Sequence, residues 1–289
     1  MINVGEFESN DISLMKREVG DTDRRGRGST NTILHTKLSI PRFPVDCMCR
    51  KRLLERLNEI TEKSLTLVTG PAGYGKTMLV SKWIMDNTER IKACWVSLDE
   101  NDNNSHNLWF YVGAAISKIN SGFFSEEVNI SPELPTKSIE IFINWIINSM
   151  YEINHEVVLV IDDYHLVCNK YIHESLQYFI SNMPENMHIV IISRTVPTMR
   201  LGRLRGHGKL VEVKSQELKL TYSEICEYLL NTTNLCLAEE ELRKLEKYTE
   251  GWIAALNLIV LKIKNSSNIK DYLSNKCHVD EYLVDYISE

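Results

Sequence analysis

Gly70-Pro71-Ala72-Gly73-Tyr74-Gly75-Lys76-Thr77 fits the pattern GxxxxGK[ST]. The glycines let a backbone fold round a phosphate with its N–H groups turned inward, and a helix that follows adds free amides and a favourable dipole. In such a loop the Lys76 ammonium lies between β- and γ-phosphates, and the Thr77 hydroxyl completes a magnesium shell. Gly70, Pro71, Ala72, Gly73, Tyr74, Gly75, Lys76 and Thr77, with the amide of Met78, are therefore the expected cofactor-binding set, and the cofactors are ATP or ADP with Mg²⁺. A second run, Val157 to Asp163, is apolar and ends in two carboxylates. Asp162 is the expected partner of magnesium together with Thr77, and Asp163 is placed to polarise an attacking water. Alone, the two acids would as readily cap a turn; a phosphate loop about 85 residues earlier gives them a partner. A third run, His188–Ser193, leads to Arg194, which at this edge of a sheet can read a γ-phosphate and so tell ATP from ADP. The expected catalytic set is Lys76, Asp163 and Arg194. His165 is given no catalytic role, and there is no HRD, DFG or LSGGQ pattern.

These residues need a frame that brings three strand ends together. Leu65–Thr69, Ala93–Ser97, Val157–Ile161, His188–Ser193 and Leu210–Val213 read as strands, the central ones apolar on both faces. Met78–Asn87, Leu108–Asn120, Ile139–Tyr151 and Ile172–Met183 have helical length and spacing. Strand and helix in alternation predict an α/β fold, an open and mostly parallel sheet flanked by helices. The stretch Met199–Leu210 carries Arg200, Arg203, Arg205, His207 and Lys209 among glycines. It reads as a solvated loop or as one that contacts a phosphate or a partner.

After Glu217 the strands stop, and Tyr222–Asn231, Ala238–Glu250 and Trp252–Lys264 read as three helices. Thr221 or Ser223 can cap the first, and Gly251 separates the second from the third. Asp271–Tyr286 starts another amphipathic segment. The expected organisation is a flexible tail over 1–32, a phosphate-loop nucleotide-binding domain over 33–215, a small all-helical lid over 216–268, and the start of a further domain over 269–289.

Composition sets the outer limits. The 289 residues are 43% hydrophobic and 25% charged, which is chain enough for one large domain with a smaller one and excludes disorder for the bulk of it. A net charge of −6 argues against a surface that is everywhere a nucleic-acid footprint. The tail, with Asp21, Asp23, Arg24, Arg25 and Arg27 interleaved, lacks the apolar core of a signal peptide. Seven scattered cysteines suit a reducing compartment, and the close pair Cys47 and Cys49 has no second cluster beside it to make a metal site. No apolar stretch approaches membrane-spanning length, so a soluble cytoplasmic protein with no membrane partner is expected.

Several stretches in order carry a family resemblance. They are TKLSIP (Thr36–Pro41), RKRLLERL (Arg50–Leu57), TGPAGYGKT (Thr69–Thr77), WVSLDENDN (Trp95–Asn103), LVIDDYHLV (Leu159–Val167), IHESLQYFI (Ile172–Ile180), PEN (Pro184–Asn186), ISRTVP (Ile192–Pro197) and EGWIAALNL (Glu250–Leu258). From about Thr36 to its end the sequence resembles the N-terminal part of the maltose-regulon-activator family, the ATP-dependent LuxR-type regulators within the STAND class of P-loop ATPases. The resemblance implies a phosphate-loop domain followed by a helical domain, a winged helix, a helical-repeat sensor and a DNA-binding helix-turn-helix. It also implies that ADP holds the protein monomeric and off, while inducer with ATP releases it to self-associate. By position, Gly70 to Thr77 take the phosphates, Asp162 and Asp163 serve magnesium and water, Arg194 senses the γ-phosphate, and Thr36–Arg50 matches a loop on the adenine side. Two positions depart from the family: Met78 where a second threonine is common, and Ile253 where many members have a proline on the nucleotide. Glu289 falls just inside the winged helix that the resemblance implies, so DNA contact is expected only through a C-terminal domain that this sequence does not reach.

These readings converge on a nucleotide-binding switch module with slow Mg-dependent ATP hydrolysis. Two alternatives stay open. One is an interaction module that binds nucleotide and titrates longer relatives; the other is a P-loop ATPase or kinase with a separate substrate.

Overall fold

The computed structural model describes residues 33–42, 50–119, 136–233 and 237–265. The expected tail, the segment 269–289, and Cys47 with Cys49 lie outside them. Five strands, β1 (Leu65–Thr69), β2 (Ile91–Ser97), β3 (Glu156–Asp162), β4 (Met187–Ser193) and β5 (Leu210–Val213), form one sheet in the order β2-β3-β4-β1-β5. Every pairing is parallel, with Thr69 opposite Ser193 and Ser97 opposite Asp162 at the C-terminal ends. β4 is buried at every position and β3 at all but its first, as a parallel sheet covered on both faces requires. β2 and β3 start earlier than the apolar runs suggest, because their first turns carry Lys92 and Glu156 at the exposed lower rim.

One face is covered by α1 (Lys51–Leu57) and α2 (Lys76–Asp86). Leu53, Leu57, Trp83 and Ile84 there meet Val68, Val160, Val190 and Val213 from the sheet in a single cluster. Burying side chains of this size contributes about 1.5–3 kcal/mol each. The opposite face is covered by α3 (Ser105–Ser117), α4 (Thr136–Met150) and α5 (Lys170–Asn182), where Trp109 meets Phe179 edge-on at 5.2 Å and its indole donates to Ser175 Oγ at 2.9 Å. α3 and α5 begin earlier than their apolar spacing predicts because Asn104 and Asn169 cap them, accepting from the His106 and Tyr171 amides. The turn His35–Leu38 packs against the edge strand β2, held by buried Lys37, whose Nζ lies 2.6 Å from Asp102 and 2.8 Å from Asp99. Covering an edge in this way removes a free pairing surface.

A short helix, α6 (Gly202–Gly206), interrupts the basic stretch read as loop, and its Arg205 forks onto Glu212 at 2.8 and 3.0 Å. After β5 comes a single turn, α7 (Ser215–Leu218), then α8 (Tyr222–Thr233), α9 (Glu239–Thr249) and α10 (Ile253–Asn265). These three form their own core around Ile225, Leu229, Leu245, Leu256 and Ile259. Thr221 is the cap of α8: its Oγ1 accepts from the Glu224 amide while Glu224 Oε2 accepts from Thr221 N. Gly251, at φ +75°, turns the chain between α9 and α10; a Cβ there would lie 2.7 Å from the Leu220 carbonyl oxygen.

Candidate functional site

β1 ends where the phosphate loop begins, and Gly70 N donates to Ser193 O of β4 at 3.2 Å. The loop turns with positive φ at Gly73 and Gly75, both +74°, and delivers the chain into α2. Gly75 is the N-cap of α2 and offers no side chain to its first amides. An eleven-residue helix thus opens with unsatisfied donors and the positive end of its dipole at the loop. Lys76, the first residue of α2, folds back so that its Nζ donates to Pro71 O at 2.8 Å. Burial lowers the Lys76 pKa, with Arg194 adding to the effect and Asp162 and Asp163 opposing it.

The two acids sit at the end of β3. Asp162 is buried, and its Oδ2 accepts from Thr77 Oγ1 at 2.9 Å while its Oδ1 accepts from the Asp163 amide at 2.9 Å. Burial first, then the neighbouring Asp163 charge, pushes the Asp162 carboxyl up to about 6. Asp163 is exposed and holds a left-handed backbone at φ 56°, unusual for a residue with a Cβ. His165 Nδ1 lies 3.8 Å from Asp163 Oδ1, and burial lowers its pKa, which keeps the ring neutral at pH 7.

A cavity of about 370 Å³ joins these parts. Its walls include Ala72, Gly73, Gly75, Lys76, Thr77, Met78, Asp163 and Arg194, so most of the residues singled out by motif meet in one place. Gly70, Pro71, Tyr74 and Asp162 do not line it: Tyr74 packs on the sheet core, and Asp162 stands behind Thr77. The far wall is made by Arg50, Leu54, Ile253, Ala254 and Asn257; Arg50 ends the Thr36–Arg50 segment expected on the adenine side and Ile253 stands where many relatives have a proline on the nucleotide, while Leu54, Ala254 and Asn257 carry no expected ligand contact. Ile253 and Ala254 open α10, and Asn257, one turn further, has its Oδ1 fixed by the Tyr228 hydroxyl at 2.6 Å. For Arg50 the resemblance gives the adenine side without naming a contact, and its place in this wall comes from the tertiary fold.

A magnesium nucleotide fits this set of groups. Thr77 and Asp162 are hard oxygen donors, and a carboxyl raised by burial and by a second acid is stabilised by any cation that arrives. Among the described residues no three His, Cys, Asp or Glu side chains cluster as a ready metal cage. A divalent ion here would take further oxygens from phosphate and water.

Over 261 residues, 88% of the chain, the sequence is 33% identical to the HTH-type transcriptional regulator MalT of Yersinia enterocolitica, and the same figures hold for the regulator MalT of Yersinia pestis. Over this stretch the chain is similar to MalT-type regulators. It spans 29% of the length of these relatives. No family model matches it. Among solved structures, the Walker-type ATPase PABY2304 of Pyrococcus abyssi superposes with a TM-score of 0.52 at 17% identity, over 79% of this chain and 71% of that one, which establishes a shared fold. Among the described residues no helix is long and apolar enough to cross a membrane.

Proposed function

We propose that this chain is the ATP/ADP-binding switch module of a MalT-type, STAND-class transcriptional regulator, with slow hydrolysis of ATP resetting its state. The observation that carries the reading is the meeting, in one cavity, of an uncapped helix N-terminus, Lys76, Asp163 and Arg194, closed on its far side by Arg50, Leu54 and the start of α10. The domains follow from it: a nucleotide-binding domain over 33–215 and a helical lid over 216–268.

The roles follow from position. The amides of the loop and of Met78 bind phosphate oxygens, and the Lys76 ammonium leaves Pro71 O to neutralise them, an exchange helped by its poor solvation. Thr77 and Asp162 would hold a magnesium ion, which when bound supplies charge neutralisation to the phosphates. Asp163, exposed to the cavity, accepts a hydrogen bond from the attacking water, with the neutral His165 ring beside it. Arg194 meets the γ-phosphate. Only ATP offers that group, so only ATP gains this contact, and a switch requires such a difference between its two ligands. Self-association in the ATP state and a cytoplasmic location go with this role. DNA contact belongs to parts of the regulators outside the stretch shared with this chain.

The test is to purify the chain, denature it, and identify any released nucleotide by chromatography, with Lys76→Ala beside it. Near-stoichiometric ADP from the wild type and none from the variant supports the switch. A wild type that arrives empty and binds neither ATP nor ADP with magnesium overturns it, and fast steady-state turnover overturns the switch in favour of an ordinary ATPase.

A further inference from the structure

Every carbonyl of the phosphate loop from Pro71 to Gly75 has a donor. Pro71 O accepts from Lys76 Nζ at 2.8 Å, Ala72 O from Trp252 Nε1 at 3.0 Å, and Gly73 O from Ala254 N at 3.1 Å. Tyr74 O accepts from Arg50 Nη1 at 3.3 Å, and Gly75 O from Leu79 N at 2.9 Å. A trans peptide is planar and its N–H points opposite to its C=O. None of these peptides is cis. Each bond to a carbonyl therefore also sets the direction of the next residue's amide, and the amides of Ala72 to Lys76 are aimed by groups gripping the reverse side of the same peptide planes. Of the five donors, Trp252 and Ala254 come from the lid. Arg50 ties a third carbonyl to the lid's root, since its Nη2 also donates to Leu218 O at 2.5 Å and Lys219 O at 3.3 Å.

We propose that Trp252 is a positioning residue for phosphate binding. Its indole N–H fixes the Ala72–Gly73 peptide so that the Gly73 amide is presented to the phosphates, and lid docking and phosphate binding become one equilibrium. This rests on the reading of the cavity as a nucleotide site. The indole is placed by its neighbour: Gly251 O accepts from Leu220 N at 2.8 Å, in a turn too tight for a side chain. A phosphate that engages the Gly73 amide, which lines the cavity, holds the Ala72–Gly73 peptide and the Gly73–Tyr74 peptide after it in the form whose carbonyls face the lid, so it strengthens docking. By reciprocity, a lid that leaves frees those two peptides to rotate and weakens the hold on phosphate. The coupling passes through the loop backbone and needs no contact between Trp252 and the ligand.

Trp252→Phe in the full chain keeps the ring and deletes the donor. Calorimetry should show ADP bound about tenfold more weakly, the worth of one hydrogen bond to a preorganised site, while adenosine, which has no phosphate to meet the loop, binds both proteins alike. ADP bound by the variant at wild-type affinity overturns the inference, and so does equal weakening of ADP and adenosine, which would make Trp252 a general lid contact. Hydrogen exchange on the wild type supplies a test that does not depend on the variant folding: ADP should slow exchange over 72–77 and 252–256 together, and protection of the loop alone overturns the coupling. A wild type that binds no ADP overturns the nucleotide reading and this inference with it, a result distinct from a wild type that binds ADP and a variant that binds it equally well.

Discussion

The two rims of the sheet treat charge in opposite ways. At the N-terminal rim the polar groups are answered by the protein. His188, nearly fully buried in β4, has Nδ1 2.8 Å from Lys63 O and Nε2 2.7 Å from Glu156 Oε2. Asn186 there donates from Nδ2 to Ile153 O at 2.8 Å, with Met150 O and His155 O each at 3.3 Å. At the C-terminal rim the same sheet leaves its charges under-answered. Asp162 is buried beside a second acid, Lys76 is desolvated and leans on a carbonyl, and α2 starts with no cap. The first rim is arranged for stability and the second holds free energy that a ligand can release, as functional sites commonly do. Ligands in open parallel sheets bind at the C-terminal rim, so the asymmetry falls where topology places a site.

The comparison is tested hardest by removing one charge from each rim. Lys76→Ala should weaken ADP binding by about a hundredfold or more, the scale of a lost charge-assisted phosphate contact, and leave the unfolding midpoint in urea unchanged without nucleotide. His188→Ala should do the reverse. Opening a buried site and stripping Lys63 O of its partner should cost about 2–3 kcal/mol of stability, with ADP affinity as in the wild type. If His188→Ala changes ADP affinity as strongly as Lys76→Ala, the two rims are not separate and the contrast fails.

Asp162→Asn sharpens the same contrast with a gain. The folded carboxyl is raised to about 6 from an ordinary 3.8, so between those values the folded chain binds the extra proton. Stability therefore falls as pH rises through this window, and above it the ionised carboxylate is a standing cost. Asparagine removes the charge, keeps an oxygen to accept from the Asp163 amide, and can donate from its Nδ2 to the Thr77 hydroxyl oxygen. Without nucleotide or magnesium, urea unfolding at pH 8 should find the variant about 1–2 kcal/mol more stable, and the difference should shrink as pH falls below 6. Magnesium should no longer tighten ATP binding. A variant less stable than the wild type at pH 8 would place Asp162 among the structural groups.

How much of this was legible in the sequence follows the same division. The phosphate-loop half was readable because its chemistry is local: adjacent glycines, Lys76 and Thr77 specify a backbone shape, and β3 and β4 announce themselves as apolar runs ending in Asp162 and Ser193. The strands were placed within a few residues, with errors at the lower rim where Glu156 and Lys92 belong to strands but are polar. The lid half was not readable as a site. Leu54, Ala254 and Asn257 reach the cavity only through tertiary packing, and the contacts of Trp252 and Ala254 are with loop carbonyls, which no side-chain pattern encodes. The sequence marks Ile253 only as a departure from a proline. It lies in the cavity wall, with its Cγ2 3.6 Å from where a Gly75 Cβ would be.

The smallest expected effect tests whether the C-terminal rim distinguishes its ligands. Arg194 is exposed, lines the cavity, and lies close enough to Lys76 and His165 to disfavour their charged forms. Its charge is therefore felt inside the cavity, where an added γ-phosphate would be drawn to it. Arg194→Gln keeps length and a donor but removes the charge. Binding of a non-hydrolysable ATP analogue should weaken about five- to tenfold, the share of one partly screened charge-assisted contact, while ADP binding stays within about twofold. Because the interaction is partly exposed, raising salt should narrow the difference for ATP and leave ADP unaffected. Equal weakening of both nucleotides would make Arg194 a general phosphate contact, and the power to tell ATP from ADP would then have to come from the coupling of loop and lid.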